Sequence, residues 1–98
     1  MPVRIRIPSP LRKYTENRGE VSAEGKTVRE ILESLEKQYP GIYPSVYNED
    51  GTLKRFVNIY LNDEDVRFMR GDATEVHEGQ VISIVPAIAG GGAGRWNG

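Results

Sequence analysis

Cysteine is absent from all 98 residues. That excludes a disulfide, a thiolate zinc site, a cysteine-ligated iron–sulfur cluster and a catalytic cysteine. Histidine occurs once, at His77, just before Glu78-Gly79. A His-based dyad or metal site needs partners that the sequence does not supply, so His77 reads as a surface loop residue. No apolar run approaches the roughly 20 residues that span a bilayer, and a hydrophobic content of 38% supplies one modest core. Net charge is scarce too: 13 Lys and Arg against 14 Asp and Glu leave -1. The basic residues are scattered rather than gathered into a stripe, which argues against nucleic acid as a partner. The start, Met1-Pro2-Val3-Arg4-Ile5-Arg6-Ile7-Pro8, alternates aliphatic and charged residues and reads as a strand, not as a signal peptide or membrane segment. The expectation is a single cytoplasmic domain.

What is present is a succession of short periodic segments. Val3, Ile5 and Ile7 alternate with Arg4 and Arg6, the period of a strand with one buried face. Pro8 and Pro10 end it, Thr15 to Gly19 forms a turn, and Glu20 to Ala23 returns as a second strand of an antiparallel hairpin. Thr27-Val28-Arg29-Glu30 fits a capping box, in which Thr27 and Glu30 satisfy each other's free backbone donors. Val28, Ile31, Leu32, Leu35 and Tyr39 then recur at helical spacing, with Arg29, Glu30, Glu33, Glu36 and Lys37 on the opposite face, until Pro40-Gly41 stops the helix. Ile42 to Tyr47 is apolar but interrupted by Pro44, which predicts an irregular lid or a single turn. Asn48 to Gly51 is a loop tip. Phe56 to Leu61 has the content of a central strand, Asn62 to Asp65 a turn, Val66 to Phe68 a short edge segment, and Val81 to Val85 the last strand. The predicted order is β-β-α-β-(β)-β, an α+β fold with a mixed sheet packed on one main helix.

The last strand runs into Val85-Pro86-Ala87-Ile88-Ala89-Gly90-Gly91 and then Gly92-Ala93-Gly94-Arg95-Trp96-Asn97-Gly98. Glycine has no Cβ, so a Gly-Gly segment is thin enough to enter a channel closed to other residues. The division expected is a domain over 1–89 and a flexible Gly-rich tail over 90–98. Element order, helix position and tail together resemble the ubiquitin-like β-grasp sulfur carriers, the group of the molybdopterin-synthase small subunit and the thiamin-pathway sulfur carrier. The stretches Arg55-Phe56-Val57-Asn58-Ile59-Tyr60-Leu61-Asn62-Asp63-Glu64-Asp65-Val66-Arg67-Phe68 and Ile84 to Gly91 are most similar to the branch that serves cysteine biosynthesis. The resemblance covers most of residues 3–91.

That resemblance implies a carrier rather than an enzyme, with no cofactor of its own. An activating enzyme would use ATP and Mg²⁺ to join the Gly91 carboxylate to AMP, and sulfide or a persulfide would then leave a thiocarboxylate at Gly91. A pyridoxal-phosphate-dependent cysteine synthase or a similar enzyme would accept the sulfur. Ala89, Gly90 and Gly91 would thread the activating enzyme's channel. Here Gly91 is in a peptide bond, so the resemblance further implies cutting between Gly91 and Gly92 by a trimming metalloprotease, for which a Gly-rich segment is a suitable substrate. The alternatives are an inert tail and a remnant of expression. A protein modifier that forms isopeptide bonds through the same glycine is a second functional reading, and an interaction domain is a third.

Three smaller features have competing readings. Asp63-Glu64-Asp65 lacks the alternating ligands and glycine of a calcium loop and reads as a solvated turn. Arg4, Arg6, Arg67 and Arg70 either meet acidic partners or only solvate the surface. Strands Phe56–Leu61 and Val81–Val85 are apolar on both faces. Phe56, Tyr60, Val81 and Val85 are therefore either a docking patch for the activating enzyme or are covered by Ile42–Tyr47.

Overall fold

Strand β1 (Pro2–Arg6) buries Val3 and Ile5 and turns Pro2, Arg4 and Arg6 outward, as its alternating sequence requires. The computed structural model describes residues 2–86. Strand β2 (Glu20–Glu24) pairs antiparallel with β1, setting Ala23 opposite Val3 and Val21 opposite Ile5 on the buried face. The connection between them is more ordered than the sequence suggests, because Ser9–Tyr14 forms a 3-10 helix. Pro8 is extended and precedes it, and Pro10 falls in the first turn, where a missing N–H does no harm. Glu16 and Asn17 then take left-handed conformations (φ 56° and 66°) to reverse the chain.

Helix α1 (Val28–Gln38) lays Val28, Ile31, Leu32 and Leu35 on the sheet, all four fully buried. Its N-terminus departs from the expected capping box in one respect. The Thr27 side chain accepts from Glu30 N–H at 3.2 Å, but the Glu30 carboxylate accepts from Lys26 N–H at 2.8 Å rather than from Thr27. Tyr39 caps the helix at its C-terminus and, partly buried, still packs against the core as the last member of the stripe. Ile42–Val46 is a short helix, α2, and not an irregular lid. Pro44 lies in its first turn, where the N–H needs no intrahelical acceptor, and Ile42 and Val46 enter the core one turn apart. Gly41 caps α2 at φ 112°, and a Cβ there would stand 2.4 Å from the Tyr14 ring.

Strand β3 (Val57–Leu61) reverses through Asn62-Asp63 into β4 (Glu64–Asp65), with Asn62 left-handed at φ 55°. The edge strand is thus Glu64–Asp65, and Val66–Phe68 is a 3-10 helix where an edge segment was expected. The difference is one of register: the tight turn uses only two residues, so pairing begins earlier. Strand β5 (Val81–Pro86) fills the middle of the sheet, whose order is β2-β1-β5-β3-β4. It runs parallel to β1 and antiparallel to β3, which makes the sheet mixed as predicted. Ile82 and Ile84 meet Ile59, Leu61 and Val57 on the inner face under α1. No helix among the described residues is long and apolar enough to cross a membrane.

Candidate functional site

The outer face of the sheet is set by the same alternation that builds the core. On β3 the buried residues are Val57, Ile59 and Leu61, so Asn58 and Tyr60 point the other way. On β5 the buried pair Ile82 and Ile84 leaves Val81, Ser83 and Val85 on that outer face. Helix α2 packs Ile42 and Val46 into the core on the inner side, so it does not cover Phe56, Tyr60, Val81 or Val85.

These four residues follow a strip along the outer face rather than clustering at one spot. Asn58 stands opposite Val85, and Val57 opposite Pro86, so Phe56 and Val85 share the end of the sheet at which the chain leaves it. Phe56 is 60% and Val85 41% exposed. Tyr60, half-buried, faces Ser83 and lies diagonal to both Val81 and Val85. Val81 is at the far end, where Asn62 continues the ladder by donating to Val81 O at 2.7 Å and accepting from Val81 N–H at 3.0 Å. Beyond it the face becomes charged, with Arg4 3.6 Å from Glu20. An apolar corner therefore adjoins the exit of β5, with a polar slope toward β1 and β2.

The apolar corner is braced by Arg67. Its Nη1 donates to Asn58 Oδ1 at 2.7 Å, and its Nη2 donates to the carbonyls of Lys54 and Val57 at 2.7 and 2.8 Å. The same Nη2 is 3.3 Å from Arg55 O. Arg67 is thus committed to the turn before β3, which neither of its expected roles described. Arg70, by contrast, is exposed, and its backbone N–H donates to Thr74 Oγ1 at 3.1 Å. Asp65 does not stand free in a solvated turn: its carboxylate accepts from Arg67 N–H at 2.9 Å. No group of three or more acidic or histidine side chains among the described residues could hold a metal ion. His77 is exposed in the turn that closes at Gln80, 3.9 Å from Glu75.

A second polar cluster joins α1, α2 and the segment around Asp72, and had no signal in the helical pattern. Arg29, assigned to the solvent face of α1, places Nε 2.8 Å from Asp72 Oδ2 and donates through Nη1 to Tyr43 Oη at 2.8 Å and through Nη2 to Gly51 O. Its guanidinium lies 4.9 Å from the centre of the Tyr47 ring, which stacks on Tyr43 at 4.3 Å. Tyr47 Oη donates to Asp72 Oδ2 at 2.9 Å. Burial, followed by the hydrogen bond to Asp72, holds the Tyr47 phenol well above its ordinary pKa. Burial opposes the charge on Arg29, yet Asp72 and the neighbouring phenols and carboxylate raise its pKa overall. The cluster fastens α1, α2 and the loop before β5 together. It has no nucleophile or base poised for chemistry.

Ala89, Gly90, Gly91 and the Gly91–Gly92 bond lie outside the described residues. Their position along the chain still bears on the site. Gly91 is five residues beyond Pro86, the last residue of β5, and five extended residues reach at most about 17 Å. Anything that acts on Gly91 must therefore work close to the Phe56–Val85 corner.

Comparison with known proteins gives a consistent picture. The sequence pattern of the ThiS family matches residues 5–91. Sulfur carrier protein CysO of Mycobacterium tuberculosis is 45% identical over 93 residues, covering 93% of this chain and all of that protein. The crystal structure of the Amycolatopsis orientalis BexX/CysO complex contains a chain that superposes with a TM-score of 0.85 at 44% identity, covering 91% of this chain and 99% of that one. Small archaeal modifier protein 3 of Haloferax volcanii is 38% identical over 65 residues, covering 66% of this chain and 70% of that protein.

Proposed function

The chain belongs to the ThiS family, and on that premise we propose that it is a sulfur carrier whose reactive group is the carboxylate of Gly91, freed by removal of residues 92–98. The observation that carries this reading is the route of β5. The central strand of a ubiquitin-like β-grasp sheet leads out at an exposed apolar corner, and the family match ends at Gly91 itself. The folded domain is taken to extend to Ala89 and the tail to cover 90–98.

The chemistry has a simple logic. A carboxylate is a poor electrophile, because it is anionic and oxide is a very poor leaving group. In the activating enzyme, one Gly91 oxygen attacks the α-phosphate of ATP and pyrophosphate departs, with Mg²⁺ offsetting the phosphate charge. Sulfide then attacks the acyl carbon and AMP leaves, giving the thiocarboxylate. Where a persulfide delivers the sulfur, a thiol must afterwards cleave the S–S bond. The acceptor, on the strength of the CysO relatives, is an aminoacrylate held on pyridoxal phosphate by a cysteine synthase. In all of this the chain is a group carrier, and catalysis belongs to its partners. A cycle that consumes ATP in this way fits the cytoplasm. The Phe56–Val85 corner is the docking surface for the activating enzyme, and the Amycolatopsis BexX/CysO complex supports the view that proteins of this kind work bound to a partner protein.

A second reading, protein modification, is favoured by the archaeal modifier relative. In it a substrate lysine attacks the same acyl-adenylate. Intact mass of the untagged protein from its native cells tests the proposal. A species ending at Gly91, part of it heavier by the difference between sulfur and oxygen, supports the carrier. Covalent high-mass adducts support the modifier, and a mass ending at Gly98 with no shifted species under sulfur demand refutes activation at Gly91.

A further inference from the structure

The turn before β3 is closed by a hydrogen bond from Val57 N–H to Lys54 O at 3.2 Å, with Arg55 and Phe56 at its two corner positions. A turn of this kind points several carbonyls the same way, and here they are gathered by one side chain. The Arg67 guanidinium takes Lys54 O, Val57 O and Asn58 Oδ1 within 2.8 Å and Arg55 O at 3.3 Å. All four acceptors are neutral. Arg67 is itself fixed, because Asp65 accepts from its N–H at 2.9 Å and β4 pairs with Tyr60 and Leu61. A planar fork can serve several acceptors spread around it, whereas a lysine ammonium acts as a point charge. A cation that merely solvates the surface needs none of this.

We propose that Arg67 is a positioning residue for partner docking: by gathering the carbonyls of turn Lys54–Val57 it holds Phe56 outward, at the end of the sheet where Val85 lies, as a preformed anchor for the activating enzyme. The inference rests on the sulfur-carrier reading. The occupant follows from reach, since an enzyme that takes Gly91 into its active site must lie against the corner from which the chain departs. Phe56 is 60% exposed, and an exposed aromatic on an unbraced turn would have to be ordered on binding, at a loss of affinity. Bracing the turn in advance removes that loss, and aromatic anchors are where binding energy concentrates. Arg67 and Phe56 fall in the same fourteen-residue stretch, 55–68, so the segment carries both the anchor and its brace.

The test compares wild type, Arg67→Lys, Phe56→Ala and the double variant, using carrier ending at Gly91 and ATP–pyrophosphate exchange catalysed by the activating enzyme. Amide exchange of Val57 is measured on the full-length free proteins. Arg67→Lys keeps the charge but loses the fork, so it should leave kcat unchanged, lower Tm modestly, raise KM for the carrier about tenfold and speed Val57 exchange. Phe56→Ala should raise KM at least as much, with the double variant no worse than Phe56→Ala alone. Asn58→Ala, which removes one acceptor without touching Arg67, should raise KM by a smaller factor. Wild-type KM in Arg67→Lys, or additive losses in the double variant, would overturn the positioning role and leave the carrier reading standing. No exchange with the wild-type carrier would sink the carrier reading and this inference with it.

Discussion

Tyr47 and Asp72 are joined by a 2.9 Å hydrogen bond, and the Asp72 oxygen that accepts it also holds Arg29 Nε at 2.8 Å. The phenol must stay protonated to donate, and burial favours its neutral form as well. Its folded-state pKa is raised, so the folded protein keeps this proton where the unfolded chain loses it. The associated stability is complete below the ordinary phenol pKa of about 10 and falls as pH rises above it. Tyr47→Phe should lower stability at neutral pH by about 1–2 kcal/mol and flatten the alkaline decline. Urea midpoints between neutral and strongly alkaline pH measure both, and an unchanged alkaline slope would show that the phenol proton is not what is lost.

Gly41 and Gly79 separate two costs that usually come together. Both have positive φ, 112° and 91°, but a Cβ at Gly41 meets the Tyr14 ring at 2.4 Å, whereas one at Gly79 meets nothing within 4 Å. Gly79→Ala should cost about 1 kcal/mol from backbone strain alone. Gly41→Ala should cost clearly more, about 2–4 kcal/mol, because the ring must also move. Equal losses in denaturant unfolding would mean that the Tyr14 ring yields freely.

Val85 and Val81 are on the same face of β5 at opposite ends. Val85→Asp should raise the KM for the activating enzyme tenfold or more, an effect of about 1.4 kcal/mol or greater. Val81→Asp, near Asn62 and the charged slope, should change it much less. Similar effects from both would extend the docking surface over the whole strand.

Gly90→Val and Gly91→Val should abolish adenylation of the trimmed carrier and leave Tm within about 4 °C, since surface changes outside a packed core stay within about 0.5 kcal/mol. Calorimetry alongside the exchange assay decides it. A large fall in Tm would place these glycines in the packed fold and contradict the threading geometry.

Much of the fold was legible because its elements announce themselves by period. Val3 and Ile5 alternate with Arg4 and Arg6, and the stripe from Val28 to Leu35 can bury only one helical face. The 3-10 helix Ser9–Tyr14 was not, because a short turn of this type has no repeat to detect. Pro44 left two readings open, and the single turn is the one that holds: a proline interrupts a helix only beyond the first turn, and α2 is barely longer than one turn. At the site, Phe56, Tyr60, Val81 and Val85 were visible as apolar residues of two-faced strands, but whether Ile42–Tyr47 covered them was not. Arg67 and Arg29 were not, because their acceptors are backbone carbonyls and side chains brought close only by the fold. A cation's sequence neighbours do not reveal whether it braces a turn or faces water.

The place of β5 has a consequence for biosynthesis. The hairpins β1–β2 and β3–β4 have no common border except through this strand, which leaves the ribosome after both. A nascent chain halted before Val81 would hold two unjoined halves with unsatisfied edges, exposed to aggregation and degradation. The segment that completes the sheet is also the one that leads into the glycines. On the sulfur-carrier proposal, completion of the fold and delivery of the reactive end come from the same few residues, so an enzyme that recognises the Phe56–Val85 corner would read, in one contact, that the chain has finished folding.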